Sequence, residues 1–178
     1  LPADSSEDRL RALGAAAASS GSVAMFHAIG VTPEAPTLDA ATAGEPVPEI
    51  VVSAERLREA RGELVTAANG RLGAVSVGTP HASLAELERL AALLGTDELA
   101  VPLYVNVGRD VLAESDRRGL SASLESTGVR IVTDTCTYIT PVMEAVDGPV
   151  MTDSGKWAWY APTNIGVALP FAGFPLSV

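Results

Sequence analysis

Three polar clusters in this chain bring together residue types that do chemistry. Gly78-Thr79-Pro80-His81 joins an apolar run to a helix-opening signal, which sets free backbone N–H groups beside an imidazole. Such a pair can hold an anion while His81 moves a proton or binds a metal; the plainer reading is a strand-to-helix turn with His81 at the surface. Thr133-Asp134-Thr135-Cys136 closes a β-branched run and contains the only cysteine. A lone thiol excludes a disulfide within the chain. It leaves a buried small residue, a nucleophile partnered by His27 or His81, or one ligand of a metal site. Ser154-Gly155-Lys156 resembles the end of a phosphate loop without the full G-x-x-x-x-G-K-[ST] spacing. There Lys156 can anchor a carboxylate or phosphate, or stand solvated in a turn.

These clusters need elements to place them. Ser5 to Ser20 predicts a helix capped by Ser5 or Ser6 and stopped at Gly21. Val23 to Ile29 and Ile50 to Val52 read as short strands around a long loop, Gly30 to Glu49, which holds Pro33, Pro36, Pro46 and Pro48. Ser53 caps a helix to Ala68, and Leu72 to Val77 is a strand. Ser83 and Glu86 stand at capping-box spacing and open a helix to Leu94. Val101 to Val107 is a strand, Arg109 to Arg118 and Ser121 to Ser126 are helices, and Val129 to Thr133 reads as a buried strand. Alternating strands and helices with short connections imply an α/β fold, a layered αβα arrangement on a mostly parallel sheet. Right-handed crossovers put the ends at 78–81, 107–109 and 134–137 along one edge, where open α/β sheets bind ligands. The expected organisation is a single domain over 1–178. Its C-terminal segment, 151–178, is aromatic-rich, with Trp157, Trp159 and Tyr160.

Composition narrows the function. Acidic residues outnumber basic ones 22 to 12, a formal charge of −10, which disfavours nucleic-acid binding. No run approaches the roughly 20 apolar residues of a membrane span. One thiol and no secretory signal predict a cytoplasmic location. The chain starts at Leu1, not Met, as a fragment, a processed product or an engineered piece would.

Taken in order, Gly30 to Thr37 (GVTPEAPT), Gly78 to Ser83 (GTPHAS), Thr133 to Cys136 (TDTC) and Met151 to Asn164 (MTDSGKWAWYAPTN) resemble the aconitase X family, in the later part of its large catalytic subunit. The resemblance runs to about Gly166. It implies an aconitase-like portion of a hydro-lyase that dehydrates a small hydroxy acid, cis-3-hydroxy-L-proline or mevalonate 5-phosphate, with an iron–sulfur cluster as cofactor. By motif, Cys136 becomes a cluster ligand. His81, Lys156 and Ser154 become catalytic candidates, and Thr79, Asn164 and Thr135 substrate-binding ones. A small swivelling domain or subunit is the implied partner. Two departures follow: some members carry a cysteine where this chain has Thr79, and members continue past the equivalent of Gly166 to a further cysteine. Alone, the 178 residues are therefore expected to be inactive. The other readings are a non-catalytic relative that keeps the fold as a binding module, and a metal-free thiol enzyme using Cys136 and His81.

Overall fold

The computed structural model describes residues 1–66, 70–139, 142–143 and 146–169. Helix α1 (Glu7–Gly21) is capped by Ser6, whose side chain accepts the N–H of Arg9. It runs through Gly21 and ends at Ser22, which takes the left-handed conformation. The proline-rich loop contains one short helix, α2 (Leu38–Thr42), capped by Thr37. Helix α3 (Ala54–Glu63) is capped by Ser53 as expected, but it stops at Glu63, capped at Leu64, short of the anticipated Ala68.

Then come β1 (Ala74–Ala82), α4 (Leu84–Leu94), β2 (Leu103–Val107), α5 (Arg109–Arg117), α6 (Leu120–Ser126), β3 (Val129–Thr133), β4 (Val150–Thr152) and α7 (Gly155–Ile165). Ser83 and Glu86 form the reciprocal capping box at the start of α4. The four strands make one parallel sheet in the order β3-β2-β1-β4. Helices cover both faces. Val75, Val77, Val105 and Val107 point to one side, against Leu87 and Leu90 of α4 and Leu124 of α6. Ala74 and Tyr104 point to the other, against Trp157, Ala158 and Ala161 of α7, and α1 packs outside α7. The layered αβα reading is what the structure has.

Several expectations fail for physical reasons. Val23 to Ile29 and Ile50 to Val52 form no strand. Ile50 and Val51 are 84% and 83% exposed. Their β-branched character expresses a preference for a pleated, half-buried surface, and no neighbouring strand among the described residues supplies one. β3 was expected to be buried, yet it is an edge strand whose Arg130 is exposed. β4 and α7 were not foreseen as elements. The last nine residues of the expected aromatic segment, 170–178, lie outside the described residues.

Beyond β4 the ladder continues through two isolated pieces of chain. Val150 donates its N–H to Ala168 O at 2.9 Å, and Thr66 N–H donates to Leu169 O at 2.9 Å. Leu169 N–H returns to Thr66 Oγ1 at 2.8 Å. Among the described residues no helix is long and apolar enough to cross a membrane.

Candidate functional site

The carboxyl edge of the sheet is irregular at one place. Val77 pairs with Val105 and Ala82 with Val107, so Gly78, Thr79, Pro80 and His81 stand opposite the single residue Asn106. The looped-out residues leave the ladder at Gly78, with φ +75°. A Cβ there would lie 2.7 Å from Asn106 O, so only glycine fits. The Asn106 side chain then holds the bulge in shape: Nδ2 donates to Val77 O at 3.1 Å and to Thr79 Oγ1 at 3.0 Å. Asn106 is fully buried, and its Oδ1 has no partner among the described residues. Bulges of this kind commonly re-aim side chains beside functional sites. His81 leaves the bulge partly buried, with Nδ1 3.9 Å from where a Cβ on Gly108 would lie.

The end of β3 is tied to the same edge. Asp134 takes φ +57° and donates its N–H to Val107 O. Its carboxylate accepts the backbone N–H of Arg109 at 3.0 Å and Nε at 2.6 Å, closing the N-terminus of α5, which Gly108 leaves without a side-chain cap. The Arg109 guanidinium, then its backbone N–H, holds the Asp134 carboxyl below the usual carboxylate range, and His81 adds a smaller pull.

After Asp134 the chain turns back over the α7 face of the sheet. Thr137 reaches β1, where its hydroxyl lies 2.7 Å from Ser76 Oγ. The same oxygen accepts the indole Nε1–H of Trp157 at 2.7 Å. Cys136 is partly buried against this cluster. Its thiol contacts the hydroxyl of Tyr138, whose pKa is pushed upward first by burial and then by Cys136. Tyr138 stacks on Tyr160 of α7, with ring centroids 5.4 Å apart. Thr135, just before Cys136, is partly buried.

Helix α7 begins at a cleft of about 50 Å³ between α1, the bulge and the capping box of α4. Ser154 is its buried N-cap: the hydroxyl accepts Trp157 N–H at 3.1 Å, and its own N–H donates to Thr152 Oγ1 at 3.2 Å. Lys156 is partly buried in the first turn. Asn164 is exposed near the other end of the helix. Ten residues at 1.5 Å each put it about 15 Å from Ser154, so it does not join this edge.

Two features of the cleft escaped the sequence reading. Asp153 lines it, with Oδ1 buried and unpartnered among the described residues. Burial, reinforced by the nearby Glu86, pushes this carboxyl up to about 6, although the Gly78 N–H partly offsets the shift. Arg11 of α1 bridges Asp8 at 2.9 Å and Glu86 at 3.0 Å, while Ser83 Oγ donates to Asp8 at 2.8 Å. The only local signal for Asp153 was a carboxylate between a short β-branched run and a helix-capping serine.

A family model described as the aconitase X third domain matches residues 72–175, more than half of the chain. The chain belongs to the aconitase X family. A second model, the aconitase X second domain, matches residues 1–62. A cis-3-hydroxy-L-proline dehydratase from Pseudomonas aeruginosa is 42% identical over 171 residues, covering 93% of this chain and 30% of the relative. A phosphomevalonate dehydratase large subunit from Methanothermobacter thermautotrophicus is 37% identical over 162 residues, covering 91% and 40%. The crystal structure of Thermococcus kodakaraensis aconitase X in its holo-form superposes with a TM-score of 0.78 at 29% identity, covering 92% of this chain and 41% of that one. This aconitase X chain thus spans less than half the length of these relatives.

The iron–sulfur expectation can be tested on the donors present. Cys136 is the chain's single cysteine, and Thr79 has its hydroxyl engaged by Asn106. Among the described residues no group of three or more His, Cys, Asp and Glu is placed to hold a metal. These residues do not by themselves fit an iron–sulfur cluster; they offer one cysteine sulfur.

Proposed function

We propose that this chain forms one wall of the active site of a hydro-lyase that dehydrates a small hydroxy acid, cis-3-hydroxy-L-proline before mevalonate 5-phosphate. One observation carries the reading. The Gly78–His81 bulge, held by Asn106, faces a cleft that Ser154 closes, and Cys136 turns back onto the α7 face of the same sheet. The greater identity to the proline-type relative favours that substrate.

Dehydration removes a carbon-bound proton and a hydroxyl from adjacent carbons, so the site needs a proton acceptor, a proton donor and a grip on the carboxylate. His81 serves proton transfer, Lys156 holds the substrate carboxylate, and Ser154 orients the bound acid from the start of α7. Thr79 and Thr135 supply hydroxyls to the substrate's polar groups. In the complete enzyme Cys136 is one ligand of an iron–sulfur cluster whose other ligands come from outside these residues. The partner is a small swivelling domain or subunit, in keeping with the large-subunit name of the archaeal relatives.

The test is a chimaera in which these 178 residues replace the matching segment of the Pseudomonas aeruginosa dehydratase. Purified without oxygen, it is expected to show visible cluster absorption and to dehydrate cis-3-hydroxy-L-proline, and Cys136→Ser should abolish both. The single thiol also favours a second reading, a non-catalytic module that keeps the fold. A colourless, inactive but folded chimaera would select it.

A further inference from the structure

The sequence candidates leave one chemically unusual group of the cleft unused. Asp153 follows β4 directly, and Ser154, the next residue, starts α7. Strand and helix therefore both fix its backbone. One side of its carboxyl accepts the N–H of Gly78, the residue where the bulge leaves the ladder. The other oxygen, Oδ1, is buried and has no hydrogen-bond partner among the described residues. A buried carboxylate oxygen without a donor costs about 1–3 kcal/mol or more, and native structures rarely retain one without a use. Asp153 lines the space shared by Thr79, Pro80, His81 and Ser154.

We propose that Asp153 is a proton-transfer residue of this cleft, its carboxylate taking a proton from a small hydroxy acid bound over Gly78–His81. The inference deepens the dehydratase reading and rests on it for the identity of the substrate. In the step, the carbon-bound proton passes to the Asp153 carboxylate, and the C–H electron pair becomes the new C=C bond. The C–O electrons leave with the hydroxyl, which accepts a proton from His81 and departs as water. Asp153 then releases its proton to solvent and His81 regains one, so the protein ends as it began.

The surroundings suit that role. Burial raises the carboxyl to about 6, so both protonation states are populated near neutrality, the condition for efficient proton transfer. The titratable and charged groups around it come from four elements: Glu86 of α4, Asp8 and Arg11 of α1, His81 of β1 and, three residues along, Lys156 of α7. Arg11 is occupied by Asp8 and Glu86, and Glu86 raises Asp153. An unneutralised Asp153 is the consequence.

The first test uses the 178-residue chain itself. Carboxyl carbons labelled with carbon-13 are followed by NMR against pH, and Asp153 is assigned through Asp153→Asn. The expected result is a midpoint well above that of the exposed aspartates, lowered in Glu86→Gln. An Asp153 that titrates with the exposed aspartates overturns the proposal. The second test places Asp153→Asn in the chimaera. kcat should fall at least about 100-fold with KM nearly unchanged, and Asp153→Glu should restore part of the rate together with an acid limb in the pH profile. Full activity in Asp153→Asn also overturns the proposal. If the unsubstituted chimaera is folded yet dehydrates nothing, the dehydratase reading fails separately, and the NMR titration decides whether Asp153 is a proton-carrying group of the cleft.

Discussion

The indole of Trp157 donates its Nε1–H to Thr137 Oγ1 at 2.7 Å, and the same hydroxyl lies 2.7 Å from Ser76 Oγ. A single buried oxygen thus joins α7, the turn after Cys136 and the centre of β1. The thiol and the Asp153–Ser154 corner are held to one frame through it.

Thr137→Val keeps the shape and removes that oxygen. It strands the Trp157 N–H and the Ser76 hydroxyl in an interior where both residues are fully buried. The expected loss is about 2–4 kcal/mol in urea denaturation, and Thr137→Ser should recover most of it. A loss below about 0.5 kcal/mol would mean that the three groups are not coupled as described.

Asp153 makes stability depend on pH with a defined sign. Its carboxyl is raised from 3.8 to about 6 on folding, so its contribution is fully present below pH 3.8 and lost as pH rises through about 6. At pH 8 the ionised group costs up to about 3 kcal/mol. Asp153→Asn should therefore match the parent chain near pH 4 and exceed its stability at pH 8. Thermal melts at the two pH values make the comparison, and equal differences at both would contradict the buried carboxylate.

Asp134 has the opposite sign. Arg109 holds its carboxyl below the ordinary range. The stabilisation is present above the ordinary aspartate value and disappears as pH falls through the folded one. Asp134→Asn should flatten the acid side of the stability profile and leave the start of α5 less protected from amide exchange. Unchanged exchange at Arg109 would count against the capping role.

Gly78→Ala tests the bulge. The left-handed backbone and the 2.7 Å approach to Asn106 O act together, so the expected cost is at least about 2 kcal/mol. Because Asn106 Nδ2 holds Thr79, the amide signals of Thr79 and His81 should shift or broaden in NMR while those of α5 and α6 stay in place.

Much of the frame could be read from local chemistry. Ser53 and the Ser83–Glu86 box cap helices within four residues of chain, and Val101 to Val107 shows its buried character without reference to anything else. What failed depended on neighbours. Ile50 to Val52 has strand composition and no strand beside it. β4 is three residues long and becomes a strand because β1 accepts it. Gly78 to His81 was legible as a junction, but its excursion opposite Asn106 follows from the β1–β2 register. Cys136 was correctly placed past a strand end, whereas the importance of Asp153 arises from burial, which no local pattern encodes. Asn164 looked near Ser154 in sequence, yet the rise of one helix carries it away.

The pairing of Thr66 with Leu169 bears on how such a protein can be assembled. The chain enters the parallel-sheet region and leaves it side by side, joined by two hydrogen bonds. A segment whose two ends adjoin can be spliced into a host as an insert, since the host has to bridge only one strand spacing. Thr66 and Leu169 thus offer a pair of splice points at which residues 66–169 can be exchanged as a cassette. Exchange of that cassette between relatives transplants the bulge, Cys136 and Asp153 together, without stretching the surrounding polypeptide.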